Sequence, residues 1–181
     1  MLAQTVQAWQ EQLHRPVRVL TVEGATWGGG CNQAADLVIG EVDYLVFAGD
    51  DCPPRPGALK AAVDHWLLTG TVPGCRFREN GSWLNPPYDG LAPGTETAWT
   101  RLFLLTPDVY REVGPLLDIS WYADLEYGQR LSSKGYRITI CDGFDFDHLH
   151  GERTWLSPEV NDAQRDAYHQ ACAANGWSPL A

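Results

Sequence analysis

The stretch Asp43 to Pro56, Asp-Tyr-Leu-Val-Phe-Ala-Gly-Asp-Asp-Cys-Pro-Pro-Arg-Pro, constrains the fold more than any other part of the chain. Tyr44 to Phe47 is a continuous apolar run, the pattern of a strand covered on both faces in a parallel sheet. Gly49 breaks the run, and Asp50 and Asp51 follow at the strand's carboxyl end, where open α/β sheets bind ligands. Pro53, Pro54 and Pro56 stiffen the exit. Two acids in this place suit a hard cation such as Mg²⁺ or Mn²⁺, which takes its remaining ligands from water and phosphate. An acidic turn that only caps the next helix is the plainer reading of the same residues.

The elements around this strand alternate. Leu2, Val6, Trp9 and Leu13 recur at helical spacing, and Pro16 ends that helix. Val17 to Val22 reads as a strand with Glu23 at its carboxyl end. Gly24, Gly28, Gly29 and Gly30 then form a turn that could let a backbone approach a ligand, without the spacing of a dinucleotide fingerprint or a Walker lysine. A short helix, Cys31 to Ile39, completes a β-α-β crossover into the central strand. Pro56 opens a helix with Leu59, Ala62, Val63, Trp66 and Leu67 on its apolar side, closed by Gly70.

Residues 71–96 lose all periodicity and are rich in Gly, Pro, Asn and Ser. They read as a flexible loop whose Trp83 and Tyr88 would suit a substrate-covering flap. Thr97 to Leu105 is a strand, and Thr106-Pro107 starts a helix that Gly114 stops. Trp121, Leu125 and Leu131 suggest a helix packed on the sheet and capped by Gly135. Asp124 lies in its first turn, where the helix dipole keeps a carboxylate ionised and available as a base, although ordinary helix stabilisation also places Asp there. Arg137 to Cys141 is a strand. After it, Asp145, Asp147, His148 and His150 offer metal ligands on an extended segment, and either histidine alternatively serves as a plain hydrogen-bond donor. Residues 157–176 form a C-terminal helix.

At 181 residues, with 44% hydrophobic and 20% charged content, the chain suits a single domain spanning 1–181. A net charge of −10 argues against broad nucleic-acid binding and attachment to an anionic membrane, leaving room for a local basic patch. The five Cys show no Cys-x-x-Cys pair, which argues against a zinc knuckle or a disulfide framework and for a reduced, cytoplasmic chain. No apolar run is long enough to span a membrane.

In this order the motifs resemble the family-2 glycosyltransferases, nucleotide-sugar enzymes of the GT-A fold. Val22-Glu23-Gly24-Ala25-Thr26 resembles the segment in which the family's acid contacts the donor nucleoside, and Asn32 falls where these enzymes carry an Asn. Gly49-Asp50-Asp51 resembles the Asp-x-Asp metal motif with its first acid replaced. Ala123-Asp124-Leu125-Glu126, then Arg130-Leu131 and Lys134-Gly135-Tyr136, resembles the acceptor-side region, with Asp124 at the position of the catalytic base and Ala123 in place of its acidic neighbour. His148 resembles the late histidine that helps hold the metal.

The resemblance implies an α/β, GT-A-like three-layer sandwich around a mainly parallel mixed sheet. Because the chain starts at a helix, the family's first strand is missing, as in a small or N-terminally shortened member, and the uncovered edge would make a homodimer reasonable. It further implies a metal-dependent, inverting transferase acting on an acceptor hydroxyl. Asp124 would be the general base, Asp51 and His148 would hold Mn²⁺ or Mg²⁺, and Glu23, Asn32 and Asp50 would contact the nucleotide-diphospho-sugar donor, with Arg130 or Arg153 as phosphate partners. A nucleotide-sugar-binding protein without turnover and a nucleotidyltransferase are the rival readings. The products separate them, because only a glycosyltransferase releases nucleoside diphosphate.

Overall fold

The computed structural model describes residues 2–12, 17–79, 81–83, 91–149 and 158–180. Leu13, Pro16, His150, Arg153 and Ser157 lie outside the described residues. Among the described residues the elements are, in order, α1 (Leu2–Gln10), α2 (Trp27–Val38), β1 (Leu45–Phe47), α3 (Ala58–Thr69), β2 (Val72–Glu79), β3 (Ser82–Trp83), β4 (Glu96–Thr97), β5 (Phe103–Leu105), α4 (Pro107–Val113), α5 (Ala123–Ser133), β6 (Ile138–Asp147) and α6 (Pro158–Asn175). The fold is mixed α/β, as the alternation predicts.

The apolar run of β1 is covered on both faces, but its partner is not the parallel one expected. β1 pairs antiparallel with β5, Leu45 opposite Leu105 and Phe47 opposite Phe103. Side chains alternate across this ribbon. Leu45, Phe47, Phe103 and Leu105 face a core shared with α2, α4 and α5, whereas Val46 and Leu104 face a second core containing Trp9, Ala58, Leu59, Phe77 and Phe146. Two-sided burial explains why both strands are wholly apolar.

The other sheet has the order β3-β2-β6-β4. Only β2 and β6 run parallel, and the ladders β2 to β3 and β4 to β6 are antiparallel. The expectation of a mainly parallel sheet is therefore corrected, because the sequence does not record which strands pair. Residues 71–96 are not one flexible loop, since β2 occupies 72–79 in the middle of this sheet. Pro73 and Gly74 disguised it. At Pro73 the strand pairs on one side only, with Thr139 of β6, while β3 engages Arg78 and Glu79, so the missing proline N–H costs no ladder bond. Beyond Gly74 the alternation is plain, with Cys75 and Phe77 buried and Arg76 and Arg78 turned outward to ion pairs and to the Trp83 ring.

Three further expectations change. Residues 17–23 are extended but join no ladder among the described residues. Thr97 to Leu105 divides into β4 and β5. Gly28 to Gly30 belong to the first turns of α2, and the backbone they admit is the chain's own. A Cβ on Gly28 would lie 2.0 Å from the Leu117 carbonyl oxygen, and Gly28 N–H donates to Ile119 O at 3.0 Å. The helices predicted after Pro56, after Thr106 and over the C-terminus are present as α3, α4 and α6, α3 ending at Gly70 with φ 67°. All five cysteines are buried and free, and no described helix is long and apolar enough to cross a membrane.

One glycine tests the packing of α5 directly. Gly128 lies inside the helix, where Gly→Ala ordinarily stabilises by about 0.5–1 kcal/mol. Here an added Cβ would sit 2.6 Å from Ala98 O and 2.7 Å from Trp99 Cα. Gly128→Ala should therefore lower stability by about 1–3 kcal/mol in urea unfolding, and a rise in stability would mean that residues 98–99 do not cross the helix so closely.

Candidate functional site

The turn that leaves β1 stands between two cavities. The larger, about 640 Å³, lies between the extended residues 17–23, α1 and the end of β1, and is lined by Glu23, Thr26, Trp27, Gly49 and Asp50. The smaller, about 410 Å³, is lined by Asp51, Glu79, Arg101, Trp121, Asp124 and His148. Trp27 and Gly49 line both, so the two adjoin. Five of the six candidate site residues thus fall on this pair of cavities, from four separate stretches of sequence.

Asp51 and His148 meet at the floor of the smaller cavity. His148 follows the last residue of β6 and its backbone N–H donates to Arg78 O at 2.8 Å, while Leu149 N–H donates to Asp51 O at 2.8 Å. The His148 Nε2 atom is 3.2 Å from Asp51 Oδ2, and Nδ1 is 2.7 Å from Glu79 Oε1. The ring also sits edge-on to Phe77, with centroids 6.3 Å apart. The hydrogen bond to Asp51 raises the imidazole above its ordinary pKa; burial opposes this, and the bond to Glu79 adds to it. For Asp51, burial alone would raise the carboxyl, but hydrogen bonds from His148 and Cys52 and the charge of His148 outweigh it, leaving the group below the usual carboxylate range.

The donor set fits a divalent cation. Asp51, Cys52 and His148 each offer a ligand atom, all within 4.8 Å of one another. Burial, reinforced by the neighbouring Asp51, pushes the Cys52 thiol far up, so it stays protonated and donates to Asp51 Oδ1 at 3.2 Å. The usable ligands are thus one carboxylate and one imidazole, donor types that divalent first-row ions accept without selecting one of them. Glu79 behind Nδ1 holds the ring so that Nε2 points at Asp51, the outer-shell arrangement that fixes a metal-binding histidine. Gly49 has a local reason as well. A Cβ there would lie 2.7 Å from Asp51 Oδ1, so any side chain at 49 displaces the Asp51 carboxylate.

Asp124 lines the same cavity from the first turn of α5, half-buried, with Oδ1 accepting from Leu125 N–H at 3.0 Å. Glu23 and Asp50 line the larger cavity and are exposed, Asp50 lending its carbonyl oxygen to Thr5 Oγ1 at 2.8 Å.

Asn32 is corrected. It lines neither cavity; Nδ2 donates to Leu116 O at 2.8 Å, and Oδ1 accepts from Leu116 N–H at 2.8 Å and from Tyr110 Oη at 3.0 Å. Its amide ties α2 to the segment after α4. Arg130 is likewise neither solvated nor a phosphate partner, because it pairs with buried Glu126 and donates to Pro115 O at 2.7 Å. The N-terminal amides of α2 are engaged in the same way: Trp27 N–H goes to Ser120 Oγ, Gly28 N–H to Ile119 O and Gly29 N–H to the capping Thr26 Oγ1.

Glu79 and Arg101 were missed by sequence reasoning. The signal for Glu79 was the alternation Cys75, Phe77, Glu79, which places it on the cavity side of β2; Arg101, in an irregular stretch between strands, carried none. No family model matches the chain, and a comparison with curated proteins returns no match.

If Asn32 is scaffold, Asn32→Ala leaves the Leu116 amide without a partner. It should destabilise the protein by about 2–4 kcal/mol while leaving affinity for any nucleotide sugar within twofold. A stable variant with lost nucleotide affinity would restore Asn32 to the binding site.

Proposed function

We propose that this chain transfers a sugar from a nucleoside-diphosphate donor to an acceptor hydroxyl. The observation that carries the reading is the convergence of Asp51, His148 and Asp124 on one cavity that opens into another lined by Glu23 and Asp50. A candidate metal-holding pair and a further carboxylate, Asp124, on one cavity, next to a larger cavity lined by exposed acids, match the needs of this reaction in kind.

In the larger cavity the Glu23 and Asp50 carboxylates accept hydrogen bonds from the hydroxyls or N–H groups of the nucleoside. Asp51 and His148 would hold Mn²⁺ or Mg²⁺; the chemistry such an ion supplies is neutralisation of the diphosphate charge as the bond to the sugar breaks. Glu79 keeps His148 in the tautomer and orientation that this requires. Asp124, in the first turn of α5, takes the proton of the acceptor hydroxyl as its oxygen bonds to the anomeric carbon. The electron pair of the broken carbon–oxygen bond leaves with the diphosphate. Attack opposite the leaving group inverts the anomeric centre.

Calorimetric titration with UDP-, GDP- and dTDP-sugars, each with Mn²⁺ and with chelator, tests the donor. One of them should bind with metal dependence, and Asp51→Ala should weaken that binding at least about tenfold, to the level seen with chelator. Asp124→Asn should leave donor affinity within twofold while lowering transfer by about 10²–10⁴. Wild-type transfer by Asp124→Asn would remove it as the base, and release of pyrophosphate in place of nucleoside diphosphate would make the protein a nucleotidyltransferase.

A further inference from the structure

Trp121 is an exposed aromatic side chain on the wall of the smaller cavity. Expected on the sheet with the apolar face of α5, it is instead 44% exposed. Trp83 is the other exposed tryptophan among the described residues, and its ring is covered by the guanidinium groups of Arg76 and Arg78 at 4.6 and 4.8 Å. No ring or guanidinium among the described residues stacks on Trp121, which lines the smaller cavity beside Asp124.

The backbone enforces this placement. Tyr122 has φ 70° and is the only described non-glycine residue with positive φ, a costly conformation for an aromatic side chain. Four contacts hold it. Gln164 Oε1 on α6 accepts from both Ser120 N–H (3.0 Å) and Trp121 N–H (2.7 Å), Ser120 Oγ accepts from Trp27 N–H at 3.2 Å, and the Tyr122 ring stacks on Tyr168 with centroids 5.6 Å apart and 9° between planes. Tyr122 thereby joins the apolar cluster of Ile119, Ala123, Tyr168 and Cys172, and the preceding residue is turned out of it. Strain of this kind persists where the surroundings overdetermine it, and here it keeps an indole at the cavity wall.

From this geometry we infer that Trp121 is a stacking platform for the ring of a saccharide, which the cavity holds as acceptor with a hydroxyl towards Asp124. A flat apolar face suits the C–H face of a pyranose. The polar lining, Ser120, Arg101, Glu79 and Asp124, suits its hydroxyls. Three carboxylates line this cavity, Asp51, Glu79 and Asp124, which favours a neutral polyhydroxyl compound over an acidic one and over an acyl chain. At about 410 Å³ the space falls in the range of small-molecule sites. Calling this sugar the acceptor rests on the transfer reaction proposed above; its binding on Trp121 does not.

The test uses the whole chain with chelator and no donor. Methyl β-glucoside, cellobiose, chitobiose and, as a competing stacker, uridine are titrated while the indole N–H resonances are followed by NMR. At least one saccharide should shift the Trp121 indole signal. Trp121→Ala should weaken that binding about three- to tenfold, Trp121→Phe should recover part of the loss, and Trp83→Ala should change nothing. Once a donor is known, Trp121→Ala should raise the acceptor KM with little change in kcat or donor affinity. Saccharide binding without any donor binding would sink the transferase reading and leave this one standing. A panel that leaves the Trp121 signal unmoved, a Trp121→Ala variant that binds saccharide as well as the wild type, or a response to uridine alone would overturn it.

Discussion

The β1–β5 ribbon, buried on both faces, is the constraint on which the rest of the structure depends. Leu45, Phe47, Phe103 and Leu105 belong to one core, and Val46, Leu102 and Leu104 to the other. Each buried Phe or Leu contributes roughly 1.5–3 kcal/mol of burial free energy, so slipping the ribbon by one residue would move every side chain into the wrong core. That fixed register determines where Gly49 to Cys52 emerge. Apolar packing of the ribbon thus brings the acids at positions 50 and 51 to the junction of two cavities, where Thr5 Oγ1 and Leu149 N–H donate to their backbone carbonyls.

A second constraint closes the site across long sequence separations. His148 lies between Asp51 and Glu79, and thereby joins the end of β1, the end of β2 and the end of β6. The parallel pairing of β2 with β6 brings Glu79 and His148 to the same end of the sheet, because Arg78 is opposite Asp147. The extra residues of β6 between Ile140 and Asp145, around Gly143 with φ 85°, adjust that register. Were those residues paired in an unbroken ladder, Asp145 would lie opposite Glu79 and His148 would run past its two carboxylates.

Much of this was legible because local patterns and tertiary demands agree. The apolar run of β1, the amphipathic spacing of α3 ending at a left-handed Gly70, and the Thr-Pro start of α4 each state their structure in a few residues. Asp51, His148 and Asp124 drew notice as titratable groups at the ends of elements, where helix capping and plain hydrogen bonding also place such residues; the structure brings all three onto one cavity. What stayed hidden depends on pairing. Nothing within Val72–Glu79 says that Pro73 faces an unpaired side, and nothing within Gly28 to Gly30 says that the approaching backbone belongs to residues 117–119. Asn32 misled because an amide suits a ligand and a chain crossing equally well, and only the position of Leu116 decides between them.

Two positions at which the chain differs from the motifs it resembles have physical causes in this packing. Gly49 stands where a first acid would be, and a side chain there would meet the Asp51 carboxylate that turns towards Cys52 and His148. Ala123 stands beside Asp124, where the motif that the chain resembles carries an acid. Its side chain is fully buried against Ile119, Tyr168 and Cys172, beneath α6, and a carboxylate in that apolar cluster would lose its hydration. Docking α6 at this point thus excludes one acid from α5, while Gln164 of the same helix turns Trp121 outward and Asp124 stays on the cavity. The substitutions follow from how this chain packs around its site, and they leave the groups that face the cavity in place.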